Sequence, residues 1–115
     1  MKKKRVTNID FADSEFKSYE MSGETLTLKL ISWDEKLLKI VFLNCIQFSF
    51  KLGDFIADLY EIEEEISFLK EALSRYYVEI ENEHPFKLFQ LYDIQDFPFI
   101  EVVAESVKVT KENIE

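Results

Sequence analysis

The stretch DFIADLYEIEEEISFLKEALSRYYVEI, residues 54–80, is the longest amphipathic run in the chain, and its reading decides the fold. Phe55, Leu59, Ile62, Ile66, Leu69, Leu73, Tyr76 and Ile80 recur at alternating spacings of four and three, the period of a helix with one buried stripe. From Glu64 to Tyr77 the stripe widens through Phe68, Ala72 and Tyr77, while Glu71, Ser74 and Arg75 stay outside it. One straight helix over the whole span would be about 40 Å long at about 1.5 Å per residue. That exceeds the expected width of a domain of this size, so a break or bend is expected near Glu61–Glu64. Asp54, after Gly53, would be the N-cap. Leu69 and Leu73 are the expected core contacts.

Upstream and downstream of this run the pattern is of strands. Leu26, Leu28 and Leu30 alternate with Thr25, Thr27 and Lys29; Leu38, Ile40 and Phe42 repeat the alternation, as do Ile46, Phe48 and Phe50. Trp33-Asp34-Glu35-Lys36 reads as a turn and Asn44 as a bend, so these three runs are expected to form an antiparallel meander. Glu15–Met21 reads as an earlier strand with imperfect alternation, closed by a Ser22-Gly23 turn in which glycine supplies positive φ. Residues 6–11 suggest a first short strand. After the helix, Glu81–Pro85 reads as a turn. Phe86–Tyr92 and Phe97–Ala104 then read as paired strands around Asp93-Ile94-Gln95-Asp96, with Ser106–Val109 extending or following the second. The fold class that follows is α+β: one antiparallel sheet of six to eight strands, strongly curved or partly closed like a barrel, with the main amphipathic helix packed on one face. A chain of 115 residues fits a single domain. Residues 1–5, with four consecutive cations, and 110–115 are expected to be flexible tails.

Composition narrows the function classes. The hydrophobic fraction of 47%, with eleven Phe, supports a packed interior. A single cysteine forbids an internal disulfide and fits a reducing, cytoplasmic location. The mixed sequence after Arg5 is not the apolar core of a signal peptide, and no apolar span is long enough for a membrane helix. Net charge is −9, and between Asp54 and Glu83 ten acidic residues face only Lys70 and Arg75. Such a field disfavours nucleic acid and favours a basic partner, although acidic helices are also ordinary solvated surfaces.

Candidates for chemistry are few. His84 is the only histidine, and beside Pro85 it reads as a turn residue rather than a general base. Cys45 reads as a small buried thiol and Trp33 as a turn-anchoring aromatic. Glu63, Glu64 and Glu65 are consecutive, so on a helix they would splay through about 200° instead of converging on a cation. Beside a helix start they would complement its dipole. No phosphate loop, nucleophile elbow or zinc signature occurs. The expectation is no enzymatic activity, no metal and no cofactor.

The segments Leu30-Ile31-Ser32-Trp33-Asp34, Gly53-Asp54-Phe55-Ile56-Ala57-Asp58-Leu59, His84-Pro85-Phe86-Lys87-Leu88-Phe89-Gln90 and Glu101-Val102-Val103-Ala104-Glu105-Ser106 together resemble short bacterial proteins of unknown function. Some of those are similar to immunity proteins of contact-dependent or polymorphic toxin systems. The resemblance implies binding to a toxin and carries no catalytic residue with it. The leading expectation is therefore a small cytoplasmic domain that binds a protein partner, in the form of an immunity-type inhibitor of a basic toxin, through Asp58, Glu61, Glu64 and Glu65. Nucleic acid and membrane are not expected partners, and the oligomeric state is left open. The alternative is a small ligand-binding protein or enzyme with a pocket between helix and sheet; a third is a subunit that self-associates through an exposed edge strand.

Overall fold

The computed structural model describes residues 2–64, 66–80 and 83–114. These residues form nine strands and one helix: β1 (Lys3–Arg5), β2 (Glu15–Ser22), β3 (Thr25–Ile31), β4 (Lys36–Leu43), β5 (Gln47–Phe50), β6 (Ile56–Ile62), α1 (Ser67–Tyr76), β7 (Lys87–Asp93), β8 (Pro98–Ala104) and β9 (Ser106–Asn113). The strands build two antiparallel sheets, a five-stranded one in the order β1-β6-β7-β8-β5 and a four-stranded one in the order β2-β3-β4-β9. This overturns the α+β expectation of one curved or barrel-like sheet under a main helix: the chain is mostly strand, the sheets are two and open, and the helix is ten residues long.

The amphipathic run divides where a bend was expected, but into a strand and a helix. Ile56–Ile62 is β6, paired with β7 on one side and β1 on the other. A register shift between Ile56 and Asp58 places Ile56 and Leu59, three residues apart, in the same core between the sheets, whereas Ile62 belongs to the opposite face, under α1. A bulge adds one residue to a strand and resets its alternation. Burial on both faces then completes a helix-like spacing of three without a helix. Phe55, assigned to the buried stripe, is exposed, and Asp54 caps no helix; its Oδ1 accepts the Phe55 N–H at 2.8 Å.

The meander is also redirected. β3 and β4 pair as expected, but at Asn44, whose φ is +54°, the chain turns out of the four-stranded sheet, and β5 joins β8 in the other. Glu105 alone separates β8 from β9 and returns the chain to pair with β4. Residues 6–11 form no strand, although Phe11 is fully buried and Val6 and Ile9 pack against the core. Lys3–Arg5, read as part of a tail, forms β1, and β9 runs to Asn113. The β2–β3 turn falls one residue later than read, on Gly23-Glu24 with Gly23 at φ +60°.

The core lies between the sheets. Leu26, Leu28, Leu30, Leu38, Ile40 and Phe42 from one face meet Ile56, Leu59, Phe89, Leu91, Ile100 and Val102 from the other. The remaining face of the five-stranded sheet is covered at one end by α1, where Leu69, Ala72 and Leu73 pack on Ile62, Leu88 and Val103. Leu69 and Leu73 are buried as the periodicity requires, whereas Tyr76 and Ile80 are exposed. Covered on both faces, β7 is buried from Leu88 to Asp93. Among the described residues no helix is long and apolar enough to cross a membrane.

Candidate functional site

β2 and β5 are end strands of different sheets, and aromatic side chains draw them together. Tyr19 lies 4.7 Å from Phe50 and 5.9 Å from Phe48 between ring centroids, and Phe16 lies 5.7 Å from Phe50. The ladder stops at Phe50, where the chain leaves the sheet after Lys51 N–H donates to the Phe99 carbonyl at 2.8 Å. Beyond it a cavity of about 590 Å³ opens, lined chiefly by Phe16, Phe50, Leu52, Phe55 and Phe99 with Glu15 and Asp54 at its rim. A second hollow of about 310 Å³ shares Leu52, Gly53 and Asp54 with it and is lined further by Asp93, Gln95 and Phe97.

The wall of this groove depends on two residues. Gly53 sits on the Phe99 ring so closely that a Cβ there would lie 2.4 Å from Cγ and Cδ2, an impossible contact, so only glycine lets the loop run along the ring. Asp93 is buried and ties two loops together: Oδ2 accepts the Asp54 N–H at 3.1 Å, and Oδ1 accepts those of Gln95 at 2.9 Å and Phe97 at 3.0 Å. Burial alone would raise its pKa, but backbone N–H groups from Phe97, Asp54 and Gln95 outweigh it and hold the carboxyl below its ordinary value. Ile94 N–H closes the junction on the Phe55 carbonyl at 2.9 Å.

So fixed, the loops present apolar side chains to solvent. Leu52 is 99% exposed and Phe55 47%, with Ile94 and Phe97 exposed beside them. They form an apolar patch beside the carboxylates of Glu15 and Asp54. Chemically the groove offers aromatic faces, room for one or two apolar side chains, and carboxylates from Glu15 and Asp54 against the single ammonium of Lys51.

The residues singled out from the sequence stand elsewhere. Asp58 and Glu61 are on β6, on opposite faces by strand alternation. Asp58 Oδ2 is 2.7 Å from Arg5 Nε; Glu61 lies 3.6 Å from Lys4 Nζ and 3.9 Å from Lys87 Nζ. Glu64 precedes α1 and accepts the Lys2 backbone N–H at 2.9 Å, and Glu65 lies outside the described residues. Cys45 is buried, which pushes its thiol pKa up to about 11. His84 stacks on Phe86 at 6.5 Å, and Trp33 is exposed beside Asp34, whose carboxylate accepts from Ser32 Oγ and from Lys111 Nζ. The Ser32 hydrogen bond, followed by Lys111, lowers the Asp34 pKa. The space between α1 and the sheet, where a pocket was the alternative, is occupied by Leu69, Ala72 and Leu73. Among the described residues no group of three or more His, Cys, Asp or Glu could hold a metal ion. Sequence reasoning passed over Leu52; a large apolar residue beside Gly53, outside any periodic run, was the available signal.

No protein-family model, curated protein or solved structure matches the chain.

Proposed function

We propose that the chain is a cytoplasmic protein-binding domain whose groove beside β2 and β5 takes an apolar segment of a basic partner, in the manner of an immunity-type inhibitor of a cationic toxin. The observation that carries this reading is the exposed Leu52–Phe55 surface over an aromatic cavity. Its apolar area, once covered, supplies roughly 25 cal/mol per Å² of favourable free energy. The acidic surplus contributes differently: a net charge of −9 raises the encounter rate with a cationic protein and fades with added salt. No catalytic role, metal or cofactor forms part of this reading.

A random-peptide phage library panned on the immobilised protein tests it. The expected outcome is enrichment of sequences combining aromatic or aliphatic residues with Lys or Arg, lost when the same selection is run on Leu52→Asp/Phe55→Asp. Both residues are solvent-exposed, so this variant keeps the core intact. Enrichment that survives the double substitution, or a consensus without apolar residues, sinks the groove as the binding site.

A further inference from the structure

β1 is three residues long and entirely exposed, yet each of its cations has a counterpart on or beside β6. Arg5 pairs with Asp58 at 2.7 Å and Lys4 with Glu61 at 3.6 Å. Lys3 Nζ lies 4.5 and 4.0 Å from the ring centroids of Tyr60 and Tyr92, and 3.9 Å from the Asp96 carboxylate. The register Lys3↔Ile62, Lys4↔Glu61, Arg5↔Tyr60 sends Lys3 and Arg5 to one face and Lys4 to the other, and the carboxylates of Asp58 and Glu61 are divided the same way. The aromatic part is held independently of β1. The Tyr60 and Tyr92 rings meet edge to face, 5.4 Å apart at 87°, and Tyr92 Oη donates to Gln90 Oε1 at 2.9 Å. Gln90, only 2% exposed, donates in turn to Glu101 at 2.8 Å.

We infer that the β6 edge is a recognition site for an extended Lys/Arg-rich segment of another protein, with β1 as the resident occupant that such a segment displaces. The edge supplies main-chain hydrogen bonds, the two carboxylates and the tyrosine pair read alternate side chains, and this division of labour is that of strand addition. β1 is suited to leave. It buries no apolar side chain, the cations of its ion pairs with Asp58 and Glu61 are more than half exposed, and short edge segments open at low cost. Being tethered, β1 competes at high effective concentration, so the apparent affinity for a foreign segment is set by the fraction of time the edge stands open. In the strand order β1 is at the opposite end of the sheet from β5.

The test uses a fluorescein-labelled peptide containing Lys-Lys-Lys-Arg-Val, titrated at low salt against the full chain by anisotropy. In Lys4→Glu/Arg5→Glu, like charges face Glu61 and Asp58 and open the edge. This variant is expected to bind the peptide at least tenfold more tightly than wild type. The charge-matched control Lys70→Glu/Lys108→Glu is expected to stay within about twofold, as an effect of net charge alone would not distinguish the two variants. Adding Asp58→Lys/Glu61→Lys to the opened variant is expected to abolish the gain. Equal tightening in the control, or a gain that survives the Lys substitutions, overturns the proposal. A second measurement stands if the opened variant fails to fold: in wild type saturated with peptide, the amide resonances of Lys3–Arg5 should move to unstructured positions, and unchanged resonances overturn it. A doubling of mass of the opened variant in sedimentation also overturns it, by assigning the edge to exchange of β1 between copies of this chain.

Discussion

Asp93 shows how a single carboxylate shapes the groove. From the sequence it is the first residue of a turn, and Asp93-Ile94-Gln95-Asp96 does turn, with Asp96 at φ +61°. What the sequence hides is the second loop: Asp54, whose N–H completes the set, is 39 positions away. The carboxylate is held ionised below its ordinary value, so its contribution to stability is complete above about pH 4, the unfolded range for Asp. It is lost as the pH falls through the folded value, where the unfolded chain binds the extra proton. Asp93→Asn should therefore unfold at lower urea than wild type at pH 7, with the gap shrinking at pH 3. Equal urea midpoints at pH 7 would show that Asp93 does not clamp the two loops. Cys45, by contrast, was legible as a small buried thiol, because an apolar neighbourhood of alternating strands leaves it little else to be.

At the level of elements, clean alternation was reliable and mixed spacing was not. Thr25–Ile31 has one buried and one half-buried face, and its limits follow from the sequence to the residue. β6 failed because its bulge and its two buried faces together imitate a period near 3.6, and because Ala57, Leu59 and Glu61 carry no strong β preference. Ser67–Tyr76 was legible since Leu69, Ala72 and Leu73 face one way with charged residues between them. Its role is to cover the outer face of β7, so Leu69→Ala should cost about 2 to 5 kcal/mol, the range for a truncated buried leucine. A urea-melt shift well under about 1 kcal/mol would mean that α1 does not cover a core.

Over the whole molecule, what escaped the sequence was which sheet each strand joins. That choice is made at corners one to three residues long, Asn44–Ile46 and Glu105, and no periodicity registers it. The charge count also leaves out which cations the fold brings to these carboxylates. Between Asp54 and Glu83 the acidic surplus is real, but β1 returns Lys4 and Arg5 to Glu61 and Asp58, so two of the four expected binding carboxylates already hold cations of their own chain. An apolar surface stays exposed at Leu52 and Phe55. Amide shift mapping on the wild-type protein, with a peptide enriched on its surface, tests that placement most directly. The largest perturbations are expected at Phe16, Phe50, Leu52, Phe55, Phe97 and Phe99. Perturbations concentrated instead on Ser67–Tyr76, with the groove unmoved, would contradict the groove as the site where this chain holds its partner.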